Sequence, residues 1–256
     1  MRRADADITA ILVRRGEDLF NASPCFVVFT KNRAADELLN DLTNHPHAFV
    51  LACVMDRQIK AERAWAIPYR LAQELGGFSF NRLLSVSAEE FRRLFVSRAL
   101  HRFPEIMSQN LHRAIKHINS AYGGQAARIW QDQPSSAEVV FRFLQFPGVG
   151  PKIATMATNI LARDFKVPLA DHYSIDISAD VQVRRVFWRL GLVGEDASAE
   201  AVIYRARALH PQFPGLMDFP AWEIGREWCR PTVPQCGSCY MRHVCATGQA
   251  TAGPAR

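Results

Sequence analysis

Apolar residues recur at helical spacing along almost the whole chain. Met107, Leu111, Ile115, Ile118 and Tyr122 follow one another at steps of 4, 4, 3 and 4 and form one helical face, which the pair Gly123-Gly124 ends. Another helix runs up to Gly76-Gly77. Ser87-Ala88-Glu89-Glu90 has the form of a capping box ahead of Phe91, Leu94 and Phe95. Ser135-Ser136-Ala137-Glu138 repeats that form ahead of Val140, Phe143 and Leu144. Pro46 and Pro151 suit first helical positions, where the missing N–H costs nothing. Pro46 leads into Phe49, Val50 and Cys53; Pro151 leads into Ile153, Met156, Ala157 and Ile160. Asp180 reads as the N-cap of a helix carrying Val183, Val186, Phe187 and Leu190, closed by Gly191. Only Cys25–Thr30 reads as a strand, and residues from about Thr247 onward read as a frayed end. The pattern predicts an all-α protein without repeats or low-complexity linkers.

Composition narrows the class. With 256 residues, 48% of them hydrophobic and 22% charged, the chain can bury a large core, and wholesale disorder is excluded. The length is natural for two domains. The apolar run Ile8–Val13 is cut short by Arg14-Arg15, which is too soon for a signal peptide. No window approaches the roughly 18 apolar residues of a membrane span. A soluble, cytoplasmic protein is expected. Lys plus Arg is 31 against 25 Asp plus Glu, a net charge of +6, so an anionic partner is expected, nucleic acid being the commonest. Lysine itself is scarce: Lys31, Lys60, Lys116, Lys152 and Lys166 are all there are.

Cysteines are concentrated at the C-terminal end. Cys229, Cys236, Cys239 and Cys245 are separated by six, two and five residues. A disulfide framework would spread its cysteines more evenly. Four thiolates so close can converge on a zinc ion or an iron–sulfur cluster. Zinc sites usually pair two short Cys-x2–4-Cys knuckles. Here only one spacing is short, which favours the cluster. Pro231, Pro234 and Gly237 suit a tight wrap, whereas Cys25 and Cys53 read as plain core residues.

Two further segments carry candidate chemistry. Phe146-Pro147-Gly148-Val149-Gly150-Pro151-Lys152 is a turn between apolar helices. Its glycines allow close backbone approach, and N–H groups at the following helix N-terminus could seat a phosphate. An ordinary connector would look the same. Lys152 falls in the first turn of that helix, where the dipole disfavours an ammonium and favours the nucleophilic amine. The alternative is a solvated or phosphate-binding lysine. Asp171, Asp176 and Asp180 are the nearby carboxylates that could accept a proton or stabilise a developing cation.

In this order the motifs resemble the helix-hairpin-helix DNA glycosylases of the endonuclease III type. The resemblance runs from about His45 to Cys245. It rests on the cysteine spacing, on the Phe146–Lys152 hairpin, on Asp180-Val181-Gln182-Val183-Arg184-Arg185-Val186, and on Trp222-Glu223-Ile224-Gly225-Arg226 before Cys229. It implies a two-lobed fold, with a six-helix barrel over residues 43–165 that includes the hairpin. The second lobe, residues 1–42 and 166–256, would be helical and hold a [4Fe–4S] cluster on Cys229, Cys236, Cys239 and Cys245. The implied partner is double-stranded DNA containing damaged bases or abasic sites, bound by a monomer associated with the nucleoid. DNA would run along the groove between the lobes and meet Gly148, Val149 and Gly150. Arg230 and Arg242 are the expected phosphate contacts of the cysteine loop, and Gln58 matches the glutamine that fills the hole left by a flipped base.

The resemblance also implies the chemistry. The target base leaves the stack because its glycosidic carbon is unreachable inside it. Lys152 attacks that carbon, Asp180 assists, and the resulting Schiff base permits β-elimination. Relatives that only remove the base lack this lysine, so oxidised pyrimidines and a combined glycosylase and AP-lyase activity are expected. Two readings stand beside this one: a mismatch-specific thymine or uracil glycosylase, and a non-catalytic iron–sulfur DNA-binding protein. The sequence departs from the family pattern in two places. The interval from Lys152 to Asp180 is longer and contains Asp171-His172-Tyr173-Ser174-Ile175-Asp176, so a second register would make Asp171 the catalytic carboxylate. Gln182 also stands where the family commonly has histidine. With few residues after Cys245, the extra recognition domain of the adenine-mismatch branch is not expected.

Overall fold

The computed structural model describes residues 3–251 and is helical throughout. In chain order the helices are α1 (Arg3–Asn21), α2 (Arg33–Asn40), α3 (Pro46–Met55), α4 (Ala61–Trp65), α5 (Ile67–Leu75), α6 (Phe80–Ser85) and α7 (Ala88–Ser97). They continue with α8 (Pro104–Tyr122), α9 (Ser136–Leu144), α10 (Pro151–Arg163), α11 (Val181–Arg189), α12 (Ala199–Leu209), α13 (Asp218–Glu227) and α14 (Ala246–Thr251). None of them is long and apolar enough to cross a membrane.

Local signals set most boundaries. Ser87 Oγ accepts from the N–H of Glu90 and caps α7 as its sequence predicts. Gly76 at φ +70° and Gly123 at φ +59° stop α5 and α8 in the left-handed conformation that glycine adopts without a Cβ clash. Two expectations are corrected. Residues 247–251, read as the beginning of a frayed end, belong to α14, where Gly248 packs so closely on Arg242 that a Cβ would lie 2.9 Å from its carbonyl oxygen; the rest of that end, 252–256, lies outside the described residues.

The second correction concerns Cys25–Thr30, since no strand exists among the described residues. The segment is extended, but its partners are side chains of α2. The Asn40 amide accepts from Val27 N–H at 2.8 Å and donates to Val27 C=O at 2.9 Å, as a neighbouring strand would. Asp36 Oδ1 accepts from the N–H groups of Phe29 and Thr30.

The residues fall into two compact units. One comprises those up to Ser23, Ser135–Ala137 and those from Thr158 on; the other comprises Pro24–Pro134 and Glu138–Ala157. The sequence-based division lay at residues 43 and 165. In the structure residues 24–42 group with the second unit, where α2 packs on α3 and α5.

That second unit is built around α3. From Ala48 to Met55 every residue of α3 is fully buried, with α2, α4, α5 and α8 against it. A helix apolar on all sides has no solvent face and therefore no amphipathic period. The first unit packs α1, α11, α12 and α13 around Leu12, Val183, Phe187, Val202, Ala221 and Ile224. At Gly16, α1 comes so close to the turn Pro214–Met217 that a Cβ would lie 2.0 Å from the Leu216 carbonyl oxygen.

Candidate functional site

The hairpin belongs to the second unit. Phe146 is buried at its base, edge-on to His117 at 4.9 Å and parallel to Tyr122 at 6.4 Å. The N–H of Val149 then closes a turn onto the Phe146 carbonyl at 3.1 Å. Gly148 has φ +82°, and a Cβ there would lie 2.6 Å from Asn110 Nδ2 and 3.4 Å from a guanidinium nitrogen of Arg57. Glycine is required on both counts. The Val149 side chain is buried, which leaves its backbone for any ligand contact. Gly150 carries no such crowding, and its carbonyl accepts from Ile153 N–H and Ala154 N–H at 3.0 Å as α10 begins.

Lys152, in the first turn of α10, is exposed. Gln58 is exposed at the tip of the loop after α3 and holds φ +55°, a region that a side chain rarely occupies. Its neighbour Arg57 lies against Gly148, so the Gln58 loop and the hairpin are adjacent within this unit.

The three aspartates found in sequence belong to the first unit and differ in what they hold. Asp171 Oδ1 accepts from Ser136 Oγ at 2.5 Å and from Tyr173 N–H at 3.2 Å, and Ser136 Oγ in turn accepts from Ser174 N–H. Asp176 is buried and forms a bidentate pair with Arg207, both contacts at 2.7 Å. Both carboxylates thereby hold the loop in place. Asp180 caps α11 through Oδ1 alone, accepting from Gln182 N–H at 2.8 Å and Val183 N–H at 2.9 Å. Its Oδ2 takes part in neither cap bond, so capping and a second role are compatible. Lys152 and Asp180 lie in different units.

Sequence reasoning missed a fourth aspartate. Asp218, at the head of α13, is buried, and it accepts from Ser178 N–H at 2.6 Å and Ser178 Oγ at 3.3 Å. Burial pushes its carboxyl up to about 6, against the pull of the Ser178 bonds and Arg163; the charge of Asp180 pushes it the same way.

The cysteine loop follows α13. Cys229, Cys236, Cys239 and Cys245 are free thiols, each half-buried, and all four line one small pocket between α11 and the loop. Burial pushes the Cys239 thiol up, and the nearby sulfurs of Cys229, Cys245 and Cys236 push it further. No three His, Cys, Asp or Glu among the described residues close on a single metal ion. The loop is braced from α11. Arg189 donates to Cys229 Sγ at 3.4 Å, to Arg230 C=O at 2.7 Å and to Pro231 C=O at 2.8 Å. Arg185 donates to Cys229 C=O at 2.7 Å and Gly225 C=O at 2.9 Å. The spacing of these two arginines, four apart on one helix face, was the available signal for them. The side chains of Arg230 and Arg242 are exposed.

This arrangement of helices is the fold of endonuclease III and its structural relatives. The chain superposes on a trapped endonuclease III–DNA covalent intermediate, an estranged-adenine complex, with a TM-score of 0.62 and 21% identity, covering 96% of this chain and 98% of that one. A thermostable thymine-DNA glycosylase gives a TM-score of 0.64 at 15% identity, covering 95% and 98%. The chain belongs to the HhH-GPD superfamily of base excision DNA repair proteins, whose family model matches residues 51–212. The endonuclease III of Thermotoga maritima is 29% identical over 124 residues, 48% of this chain and 49% of that protein, so the match spans about half the length of each.

Proposed function

We propose that this chain is a base excision DNA glycosylase with AP-lyase activity, acting on damaged, oxidised pyrimidines in duplex DNA. The observation that carries the reading is Lys152. It is an exposed lysine in the first turn of α10, directly behind a hairpin whose Gly148 admits no side chain. In this reading the backbone of Gly148, Val149 and Gly150 takes a DNA phosphate, and Arg230 and Arg242 take others. Gln58, already held in a strained conformation at its loop tip, enters the space of the flipped base.

Lys152 Nζ forms a bond to the sugar C1′ as the C1′–N bond to the base breaks, and the base leaves with the bonding pair and takes up a proton. Asp180 accepts the proton that the lysine amine releases and faces the cationic sugar. Ring opening gives an imine on Lys152, and removal of a C2′ proton expels the 3′ phosphate. Both carboxylates use Oδ1 alone in these bonds, so Asp180 is preferred to Asp171 on the segment Val181-Gln182-Val183-Arg184-Arg185-Val186 that follows it and continues the family resemblance.

Cys229, Cys236, Cys239 and Cys245 fit a [4Fe–4S] cluster as four free, half-buried thiols that line one pocket. The cluster would supply a rigid anchor for the loop that carries Arg230 and Arg242.

Borohydride trapping on abasic and lesion-bearing duplexes tests the reading. Wild type is expected to form a covalent complex that Lys152→Gln does not, and Asp180→Asn is expected to bind DNA while losing at least about 100-fold in turnover. A loss in Asp171→Asn instead would move the carboxylate to the other register. Base release from thymine or uracil mismatches without trapping would make the chain a mismatch glycosylase. Binding without release from any duplex would make it a non-catalytic binder.

A further inference from the structure

We propose that Asp218 is a positioning residue for Asp180, holding the extended segment that delivers this carboxylate to the head of α11. The inference rests on Asp180 being the carboxylate of the excision reaction. Residues 175–179 belong to no helix, so their backbone must find partners elsewhere. They find them in the turn Pro214–Met217 and at the start of α13. Gly215 N–H donates to Ile175 C=O at 2.7 Å, and Asp218 takes both Ser178 N–H and Ser178 Oγ–H. Ser178 is itself buried and lies two positions before Asp180. Two turns further along, α13 presses on α11 so closely that a Cβ on Gly225 would lie 2.8 Å from Gln182 Cβ. The head of α11 is therefore gripped from α13 on both sides of Asp180.

The choice of a carboxylate at this place has a chemical consequence. An asparagine has one acceptor oxygen, so it would keep the Ser178 N–H bond and reverse the other, its amide N–H donating to Ser178 Oγ without a buried charge. The charged groups that face Asp218 are Arg163, from the end of α10, and Asp180 itself. Arg163 is already paired with Asp164 at 2.7 Å and lies 4.6 Å from the Phe219 ring centroid, so it is not dedicated to Asp218. An ionised Asp218 therefore adds a second negative charge near Asp180, which suits a carboxylate that faces a developing cation. With its carboxyl pushed up to about 6, Asp218 carries that charge at neutral pH and sheds it in mild acid.

The test is a carboxyl-carbon NMR titration of the full chain in wild type, Asp218→Asn and Ser178→Ala, beside single-turnover base release across pH. In wild type, Asp218 is expected to titrate at about 6, and base release to fall with it. Asp218→Asn removes that limb of base release and lowers the rate at saturating DNA roughly threefold to tenfold with KM unchanged. Ser178→Ala, which removes one bond to the ionised form, moves the Asp218 midpoint and that limb upward together. The proposal is overturned if Asp218→Asn leaves the pH dependence of base release in place and lowers only the melting temperature. It is also overturned if the loss lies wholly in KM. An Asp218 midpoint that moves in Ser178→Ala, without base release from any duplex, would remove the excision reading and leave the hold of Asp218 on Ser178 standing.

Discussion

Asn110 lies directly behind Gly148. A Cβ on that glycine would stand 2.6 Å from the Asn110 amide nitrogen, on a backbone with φ +82°. The hairpin is thus backed by a buried polar side chain of α8, and two separate penalties attach to any substitution. Gly148→Ala is expected to lower stability by about 2 kcal/mol from the left-handed backbone, with the clash adding to it. Adding Asn110→Ala restores the clash contribution and leaves the backbone one. Gly150→Ala, with nothing within 4 Å, costs less than about 1 kcal/mol. Urea midpoints of the three variants decide the matter.

Asp218 leaves a signature in the pH dependence of stability. Its folded carboxyl titrates at about 6 against an ordinary 3.8. A group raised on folding contributes stability that is fully present below the unfolded value and lost as pH climbs through the folded one. Relative to Asp218→Asn, wild type therefore loses stability between about pH 4 and pH 6, by up to about 3 kcal/mol, and the difference is flat above that window. Denaturant unfolding of both proteins at closely spaced pH values measures it. A difference independent of pH contradicts the assignment.

The histidines act in the opposite sense. Burial lowers His47, His117 and His172 below the usual 6.5, because a buried imidazole is more stable neutral. Their stability is present above pH 6.5 and is lost as pH falls through the folded values. His117 is the sharpest case, since its Nε2 is buried without a hydrogen-bond partner beneath the hairpin residue Phe146. His117→Leu is expected to be no less stable than wild type at pH 7 and more stable by about 1 kcal/mol or more at pH 5. A melting series between those two pH values reads the gap.

Arg189 ties α11 to the cysteine loop through one sulfur and two carbonyls. Arg189→Ala leaves those carbonyls without their charged donor and frees Cys229 to move. Under the proposed cluster assignment, the expected result is purified protein with substantially less iron per chain than wild type and faster loss of cluster absorbance under chelator, while far-ultraviolet circular dichroism keeps its helical signal. Arg189→Lys recovers only part of the iron, since an ammonium cannot span three acceptors as a guanidinium fork does.

What could be read from the sequence followed the range of the interaction. α8 was legible because it is half-buried: its apolar stripe alternates with solvent, and Gly123 marks its end. α3 offered only Pro46, because a helix buried on every side shows no stripe. The four cysteines were legible because they are close in the chain. Asp180 was recognisable as a cap because its partners are two and three residues away. Asp218 was not, because its partner Ser178 is 40 residues away and an aspartate opening a helix looks like any other. Cys25–Thr30 was misread for a related reason. Its composition suits a strand, and the groups that pair with it are the polar residues of a helix.

That last substitution matters beyond this fold. Cys-Phe-Val-Val-Phe-Thr is an uncharged run of residues with high strand propensity, near the surface, and Val28 is 73% exposed. Such segments seed intermolecular pairing when their backbone is bare. Here Asn40 and Asp36 occupy the N–H groups of Val27, Phe29 and Thr30, and Arg33 lies over the Phe26 ring at 4.7 Å. Asn40 and Asp36 thereby deny these backbone groups to a strand of any second molecule, so the same bonds that shape the segment also guard it against intermolecular pairing.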